Sequence, residues 1–395
     1  MLGQLFRALD KHYDEMVEIR RHLHQYPELS FQEVKTAKFI AQYYERLGIP
    51  VQTNVGGNGV IATLEGKRPG KTVAFRADFD ALPIQDEKDV PYKSKVPGVM
   101  HACGHDAHTA TLLVFAKVLQ QFQDELPGTV VFVHQHAEEL TPGGAISIVQ
   151  SGALDHIDVI FGNHLWSTLP LGTVSLRHDA LMAGADRFQI TIYGEGGHGA
   201  YPEDTKDALV IGAEIVAKLQ TIVSRKISPV DTGVVTVGRF QAGTGFNIIA
   251  NEAVLEGTIR YFKNAVKKKM KEELYRIVKG VCLANDATYK IDYTDGYPPV
   301  INHKDEAELI FEAAKIVPGV NSVLEAPLQM GAEDFSYYLH DKPGAFFFTG
   351  AGKEGENHPH HHPLFDIDER SMLIAAKTFA AAFIKYQEKE KTSRT

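Results

Sequence analysis

Four short, almost wholly apolar runs constrain the chain most: TVAF (72–75), TVVFVH (129–134), DVIFGNH (158–164) and AFFFTG (345–350). Each has strand length and no polar alternation, the signature of a strand buried on both faces. Helical patterns separate them, around 10–25, 33–47, 109–122 and 369–388. Strands alternating with helices predict an α/β layer fold around a mainly parallel sheet. The middle third has another rhythm. The segments 186–197, 233–240, 252–262 and 288–294 alternate apolar and polar residues at period two, with helical patterns at about 205–224 and 263–283. The order strand, helix, strand, strand, helix, strand predicts an α+β domain with a four-stranded antiparallel sheet and two helices on one face. The expected division is a larger domain from 1–177 and 296–395 and an inserted domain at 178–295.

The chain has 395 residues, of which 44% are hydrophobic and 23% charged. That length fits two or three domains, and that composition excludes a mainly disordered chain. A formal net charge of −9 argues against a nucleic-acid binder. Two cysteines, Cys103 and Cys282, make no disulfide framework. No run of about 18 apolar residues predicts a membrane span. The first residues lack an apolar signal-peptide core, so the expected location is cytoplasmic.

The 18 histidines matter through their placement. TVAF runs into RADFDALP with Asp78 and Asp80, followed by MHACGHDAHTAT with His101, Cys103, His105, Asp106 and His108. TVVFVH runs into QHAEEL with His136, Glu138 and Glu139; DVIFGNH ends on His164; ENHPHHHP carries His358, His360, His361 and His362. Ligands bind at the carboxyl ends of strands in open α/β folds, so these clusters point to one site. Each has a bland reading. A lone Cys is usually a small buried hydrophobe, a Glu pair a solvated face, Asp106 a helix cap, Asp80 a turn residue, and a His run a tag or loop. A shared metal site accounts for all of them together. Thiolate, imidazole and carboxylate donors suit Zn²⁺ and accept Mn²⁺ or Co²⁺, and five or six donors suit two ions better than one. In an extended segment Glu138 and Glu139 would point in different directions, one to metal and one to the attacking water as general base.

These segments, together with RRHLHQYPELSFQE (20–33), GEGGHGAYP (194–202), EGTIR (256–260), MGAEDFSYY (330–338) and HHPLFDIDE (361–369), resemble the dinuclear-metal amidohydrolase family of aminoacylases, hippurate hydrolases, N-acetyldiaminopimelate deacetylases and auxin-conjugate hydrolases. The resemblance runs in order over nearly the whole chain. It implies Cys103, His105, Glu139, His164 and His361 as metal ligands, with His360 and His362 as rivals of His361. It implies Glu138 as general base and Asp80 as the acid that orients the site. The inserted domain becomes a lid and dimer contact, with His198 near the scissile carbonyl and Asn247 and Arg260 near the substrate. Taken alone, His198 would be a turn residue among glycines. Gly199, Ala250, His136 and the GNHLW segment depart from the commoner family pattern and remove no implied ligand.

The implied activity is hydrolysis of the amide bond of N-acyl amino acids, N-acetyl or N-benzoyl, to a carboxylate and a free amino acid. The implied cofactors are two divalent ions, Zn or Mn, with Co or Ni as alternates. The expected assembly is a homodimer, or a higher homo-oligomer, through the lid, where an edge strand invites pairing. A carboxypeptidase or dipeptidase of the same fold is the nearest rival. A non-catalytic binding protein would have lost Glu138 or a ligand. A thiol hydrolase using Cys103 would survive chelation.

Overall fold

The computed structural model describes residues 1–355 and 357–392. The chain divides into two compact units. One comprises Met1–Leu181, Val300–Pro327 and the chain from Asp334 onward; the other comprises Met182–Pro299 and Leu328–Glu333. The short segment Leu328–Glu333 thus groups with the smaller unit, although its sequence reads as part of the larger one.

In the larger unit an eight-stranded sheet runs, edge to edge, Val51–Val55, Gly59–Glu65, Pro127–Gln135, Arg68–Asp78, Val159–Pro170, Gly344–Gly352, Thr173–Leu176, Ser322–Glu325. Its four central strands are mutually parallel. They are the four apolar runs of the sequence, and Val73, Ala74, Phe75, Val130, Val131 and Phe132 are fully buried. The outer strands make the sheet mixed: Gly59–Glu65 is antiparallel to both neighbours, and Thr173–Leu176 is antiparallel to Gly344–Gly352. The edge strand Val51–Val55 exposes three of its five residues, Gln52, Thr53 and Asn54, so it carries no apolar signal.

Helices cover the sheet through aromatic contacts. Phe75 meets Phe115 of helix His105–Gln121 at 5.2 Å and Phe379 of the C-terminal helix at 4.8 Å between ring centroids. Burying each such side chain contributes about 1.5–3 kcal/mol. The helical pattern expected at 10–25 is two helices, Leu2–Lys11 and Tyr13–Gln25, broken at His12. On the second, Met16, Ile19, Arg20, Leu23 and His24 are buried, a stripe at helical spacing that carries two charged or titratable groups inward.

Four strands of the smaller unit form an antiparallel sheet in the order Gly233–Ala242, Glu252–Tyr261, Gly184–Tyr193, Thr288–Thr294. Helices Ala208–Arg225 and Asn264–Ala284 close a separate core that includes Phe188, Ile190, Ile215, Leu219, Leu255 and Leu274. The first helix begins at residue 208 because the Asp207 carboxylate accepts from the backbone N–H of Leu209 at 2.9 Å and Val210 at 3.3 Å. None of the described helices is long and apolar enough to cross a membrane.

Candidate metal centre

The parallel strands deliver the polar clusters in register. Asp78 lies level with Gln135, and His164 with Phe348. Asp80 follows the end of one strand, and Glu138 and Glu139 follow another. The latter pair does not lie in an extended segment: Ala137 takes φ 51°, and the chain bends through 138–140. The Cys103 loop enters helix His105–Gln121 through Gly104 at φ 92°. His361 sits at φ 66°, and its N–H donates to Ala102 O at 2.8 Å, which fastens the C-terminal His segment to the Cys103 loop.

Two of the five donor groups among the described residues share Cys103. Cys103, His105 and His164 form one; Cys103, Glu139 and His361 form the other; in each, the donor atoms lie within 4.8 Å of one another. Cys103 Sγ is 3.3 Å from His164 Nε2, and His361 Nε2 is 3.3 Å from Glu139 Oε1. Glu138 groups with His105 and Glu139 by the same measure and is buried. All five expected ligands and the expected base are therefore brought together.

The imidazoles are oriented from behind. His164 Nδ1 donates to Leu165 O at 2.9 Å, which leaves Nε2 as its lone-pair nitrogen. His105 Nδ1 faces Asp80 O at 3.0 Å and Asp80 Oδ1 at 3.2 Å. Asp80 Oδ2 accepts from Ser30 Oγ at 2.7 Å and from the Glu139 N–H at 3.0 Å. Asp80 is thus no turn residue; it faces the His105 ring and pins the backbone of Glu139. His105 Nε2 and Glu139 Oε1 are buried and make no hydrogen bond.

The other histidines of the motif are spoken for or stand apart. His108 Nδ1 lies 2.6 Å from Asp78 Oδ1, and its Nε2 accepts from the Leu165 N–H at 2.9 Å, so no lone pair remains for a metal. His362 Nδ1 accepts from the Leu364 N–H at 3.1 Å, and its ring stacks on His358. His360 packs 4.8 Å from Trp166, which lies 4.5 Å from Phe348 and 5.5 Å from His164.

Charge and burial compete strongly here. Burial would lower the pKa of His105, but Asp78, Asp80 and Glu139 raise it to about 10. Burial, reinforced by Glu139 and Glu138, pushes the Cys103 thiol well up. Burial and the neighbouring His108 push His164 well down. Asp78 is also buried, yet Arg76, His105 and His108 hold it well below the usual carboxylate range. Arg76 itself is clamped, donating to Asp78 at 2.7 Å, Gln135 at 2.9 Å and Asp334 at 2.9 Å.

A second buried cluster braces the ligand loops. Arg20 donates to Asp106 at 2.9 Å, Asp366 at 2.9 Å and Glu369 at 3.2 Å. His24 Nδ1 lies 2.7 Å from Asp106, and its Nε2 lies 3.2 Å from Asp86 and 3.1 Å from Lys88 Nζ. Asp106 follows His105, and Asp366 lies five residues after His361, so one guanidinium grips both ligand-bearing segments. Asp106 is a helix residue held by Arg20, and no cap. Sequence reasoning gave Arg20 and His24 no role; the available signal was two polar residues in the apolar stripe of one helix.

In the smaller unit, His198 pairs with Ile248 in a two-stranded ladder, and the Gly199 N–H donates to Asn247 O at 2.9 Å, so His198 and Asn247 are neighbours. His198 is exposed, and its Nδ1 accepts from the Ala200 N–H at 3.1 Å, which makes Nε2 its proton-bearing nitrogen. Arg260 is half-buried on the strand Glu252–Tyr261 and donates to Thr258 Oγ1 and to Ile259 O.

Residues 74–385 match the family described as Peptidase family M20/M25/M40. The chain belongs to this family and is a hydrolase of it. YhaA of Bacillus subtilis is 57% identical over 387 residues, 98% of each chain. An N-acyl-L-amino acid amidohydrolase of Geobacillus stearothermophilus is 45% identical over 76% of this chain and 82% of that one. Among solved structures, the Bacillus subtilis YXEP protein, described as a dinuclear metal binding peptidase from the M20 family, superposes with a TM-score of 0.83 at 35% identity, covering 96% of this chain and 99% of that one. The residues present fit such a metal pair. Two donor triads, mixed N, S and O chemistry, and buried donor atoms without a hydrogen bond are what a dinuclear site requires.

Proposed function

We propose that this chain hydrolyses the amide bond of N-acyl amino acids, N-acetyl or N-benzoyl, releasing a carboxylate and a free amino acid. The observation that carries the reading is the buried carboxylate of Glu138 beside the donors of His105 and Glu139. In this reading Cys103, His105, Glu139, His164 and His361 would hold the two ions. The ions are zinc or manganese, with cobalt or nickel as alternates. Bound there, they would supply Lewis-acid chemistry that activates water near neutral pH and polarises the substrate carbonyl.

Glu138 takes the proton of the attacking water and returns it to the leaving nitrogen. Asp80 keeps His105 in the tautomer that turns Nε2 toward the donors. The Nε2–H of His198 stabilises the oxyanion, in its own chain or in a partner's. Arg260 or Asn247 holds the free carboxylate of the substrate. A cytoplasmic homodimer or higher homo-oligomer through the smaller unit, along an exposed sheet edge, completes the reading.

A second reading, a carboxypeptidase or dipeptidase, is favoured by the description of YXEP as a peptidase. One experiment separates the two: turnover of N-acetyl amino acids, N-benzoyl amino acids and dipeptides with added Zn²⁺, Mn²⁺, Co²⁺ or Ni²⁺. N-acyl amino acids preferred over dipeptides by tenfold or more in kcat/KM support the amidohydrolase reading. The reverse preference sinks it. No turnover in a metal-loaded protein sinks both, and activity that survives chelation would transfer the chemistry to the Cys103 thiol.

A further inference from the structure

His360 stands against Cys103 without belonging to either donor triad. Its Nδ1 lies 3.8 Å from Cys103 Sγ, while Cys103 Sγ lies 3.3 Å from His164 Nε2 on its other approach. The opposite nitrogen of His360 settles the tautomer. Nε2 lies 3.4 Å from the backbone N of Ser167. A backbone N–H can only donate, so Nε2 is the acceptor and carries no proton. The single ring proton of the neutral imidazole therefore sits on Nδ1, aimed at the sulfur. No lone pair is left on His360 for a metal, which distinguishes it from the next residue, His361.

The ring is fixed from several sides. Trp166, His164 and Phe365 have centroids 4.8, 5.0 and 5.2 Å from it. Ser167 Oγ donates to His358 O at 3.0 Å, tying the strand that bears His164 to the loop that bears His360. A hydrogen-bond donor at a sulfur favours its ionised form.

We propose that His360 is a positioning residue that donates an Nδ1–H···S hydrogen bond to the Cys103 thiolate and so tunes the thiolate as a metal ligand. The inference rests on the reading that Cys103 binds metal, and it adds a residue to the reading's outer shell, where partners typically contribute 10–100-fold in metal affinity.

Cobalt(II) is the probe, because a thiolate ligand gives a sulfur-to-cobalt charge-transfer band. The parent protein and three variants, His360→Leu, His360→Asn and His360→Gln, are loaded with cobalt and titrated against a chelator. An Asn side chain can place its amide N–H near the position of Nδ1; a Gln side chain reaches further and cannot. In His360→Leu the band moves to longer wavelength, since an unbonded thiolate gives up its electron more easily, and cobalt binds about tenfold more weakly. His360→Asn restores the parental wavelength and affinity; His360→Gln does not. If His360→Leu does not fold, the Asn and Gln pair alone carries the test. A parental band and affinity in His360→Leu overturn the proposal, as does identical behaviour of Asn and Gln. Loss of a whole cobalt equivalent in all three variants would make His360 a ligand instead. A parent with no charge-transfer band would remove Cys103 from the ligand set, a failure of the underlying reading that the other outcomes do not resemble.

Discussion

Two buried polar clusters lie side by side in the larger unit and are built on opposite rules. Around Arg20, charges close on each other except at Asp106 Oδ1, which makes no hydrogen bond: the guanidinium reaches three carboxylates, and His24 touches Asp106 and Asp86. Around Cys103, donors collect without full closure: His105 Nε2 is buried and makes no hydrogen bond, and Glu139 Oε1 meets His361 Nε2 at 3.3 Å, while the back of the His105 ring and the Glu139 N–H are anchored. Both clusters cost desolvation. The first offsets that cost internally and serves as a brace. The second leaves donor atoms facing one another, as the proposed metal pair would use them. The boundary is one residue wide, since His105 faces the second cluster and Asp106 the first.

The sharpest way to break this contrast is at the base. Glu138→Gln keeps the shape and the metal but cannot accept a proton, so turnover falls about 10²–10⁴-fold at unchanged metal content. A near-parental rate in the fully loaded variant would remove Glu138 from the chemistry.

Next in size is the brace. Arg20→Met leaves Asp106 buried with only His24 as its hydrogen-bond partner and Asp366 with Lys353 as its remaining cation, and urea unfolding of the metal-free protein should show a loss of about 3–5 kcal/mol. A loss below about 1 kcal/mol would mean that the cluster contributes little to the folded state.

Asp80→Asn sharpens the comparison from the metal side. One amide oxygen cannot accept from His105, Ser30 and the Glu139 N–H together, so metal affinity should fall about 10–100-fold by chelator competition. Unchanged affinity would make Asp80 a bystander.

The clusters also respond to pH in opposite directions. Without metal, His105 is raised from an ordinary value near 6.5 to about 10, because Asp78, Asp80 and Glu139 outweigh its burial. The stability it contributes is complete below about pH 6.5 and is lost as pH rises through about 10. Asp106 and Asp366 are also buried, yet Arg20 holds both far below the usual carboxylate range. Their contribution is present above about pH 4 and is lost as pH falls. Metal-free protein should therefore show a falling Tm from about pH 6.5 to 10, an alkaline limb that saturating metal flattens. A level Tm across that window would contradict the placement of the His105 proton.

The smallest effect belongs to the smaller unit. Asp207→Ala removes the cap of helix Ala208–Arg225 and should cost about 1 kcal/mol of that unit's stability by urea unfolding, with metal affinity untouched. A change in metal affinity would show that the two units are energetically linked.

Much of this was legible from the residues. The four central strands announced themselves because burial on both faces removes polar alternation, and the smaller unit's strands because burial on one face imposes it. The candidate clusters were legible because Asp78, Glu138 and Glu139 lie at or just past the ends of buried strands and His164 lies on one, while the choice of ligands among them came from the family resemblance. The half-exposed edge strands gave no signal. Composition could not separate ligands from supports either. His105 and His108 look alike in HACGHDAHT, and only the Leu165 N–H on His108 Nε2 tells them apart. Arg20 was invisible for the same reason: its partners lie 86 and 346 residues away.

The strand Gly344–Gly352 lies between Val159–Pro170 and Thr173–Leu176, which are neighbours in sequence but not in the sheet. On a ribosome, those two strands emerge early and must wait with an open seam between them. The smaller unit, whose core lies between residues 188 and 293, can complete itself during that wait, since domains fold as units while synthesis proceeds. The last strand then fills the seam, and the loop that follows brings His361 to the Cys103 loop. A chain cut short before that point would carry a finished smaller unit and a larger unit without its seam strand or the His361 segment.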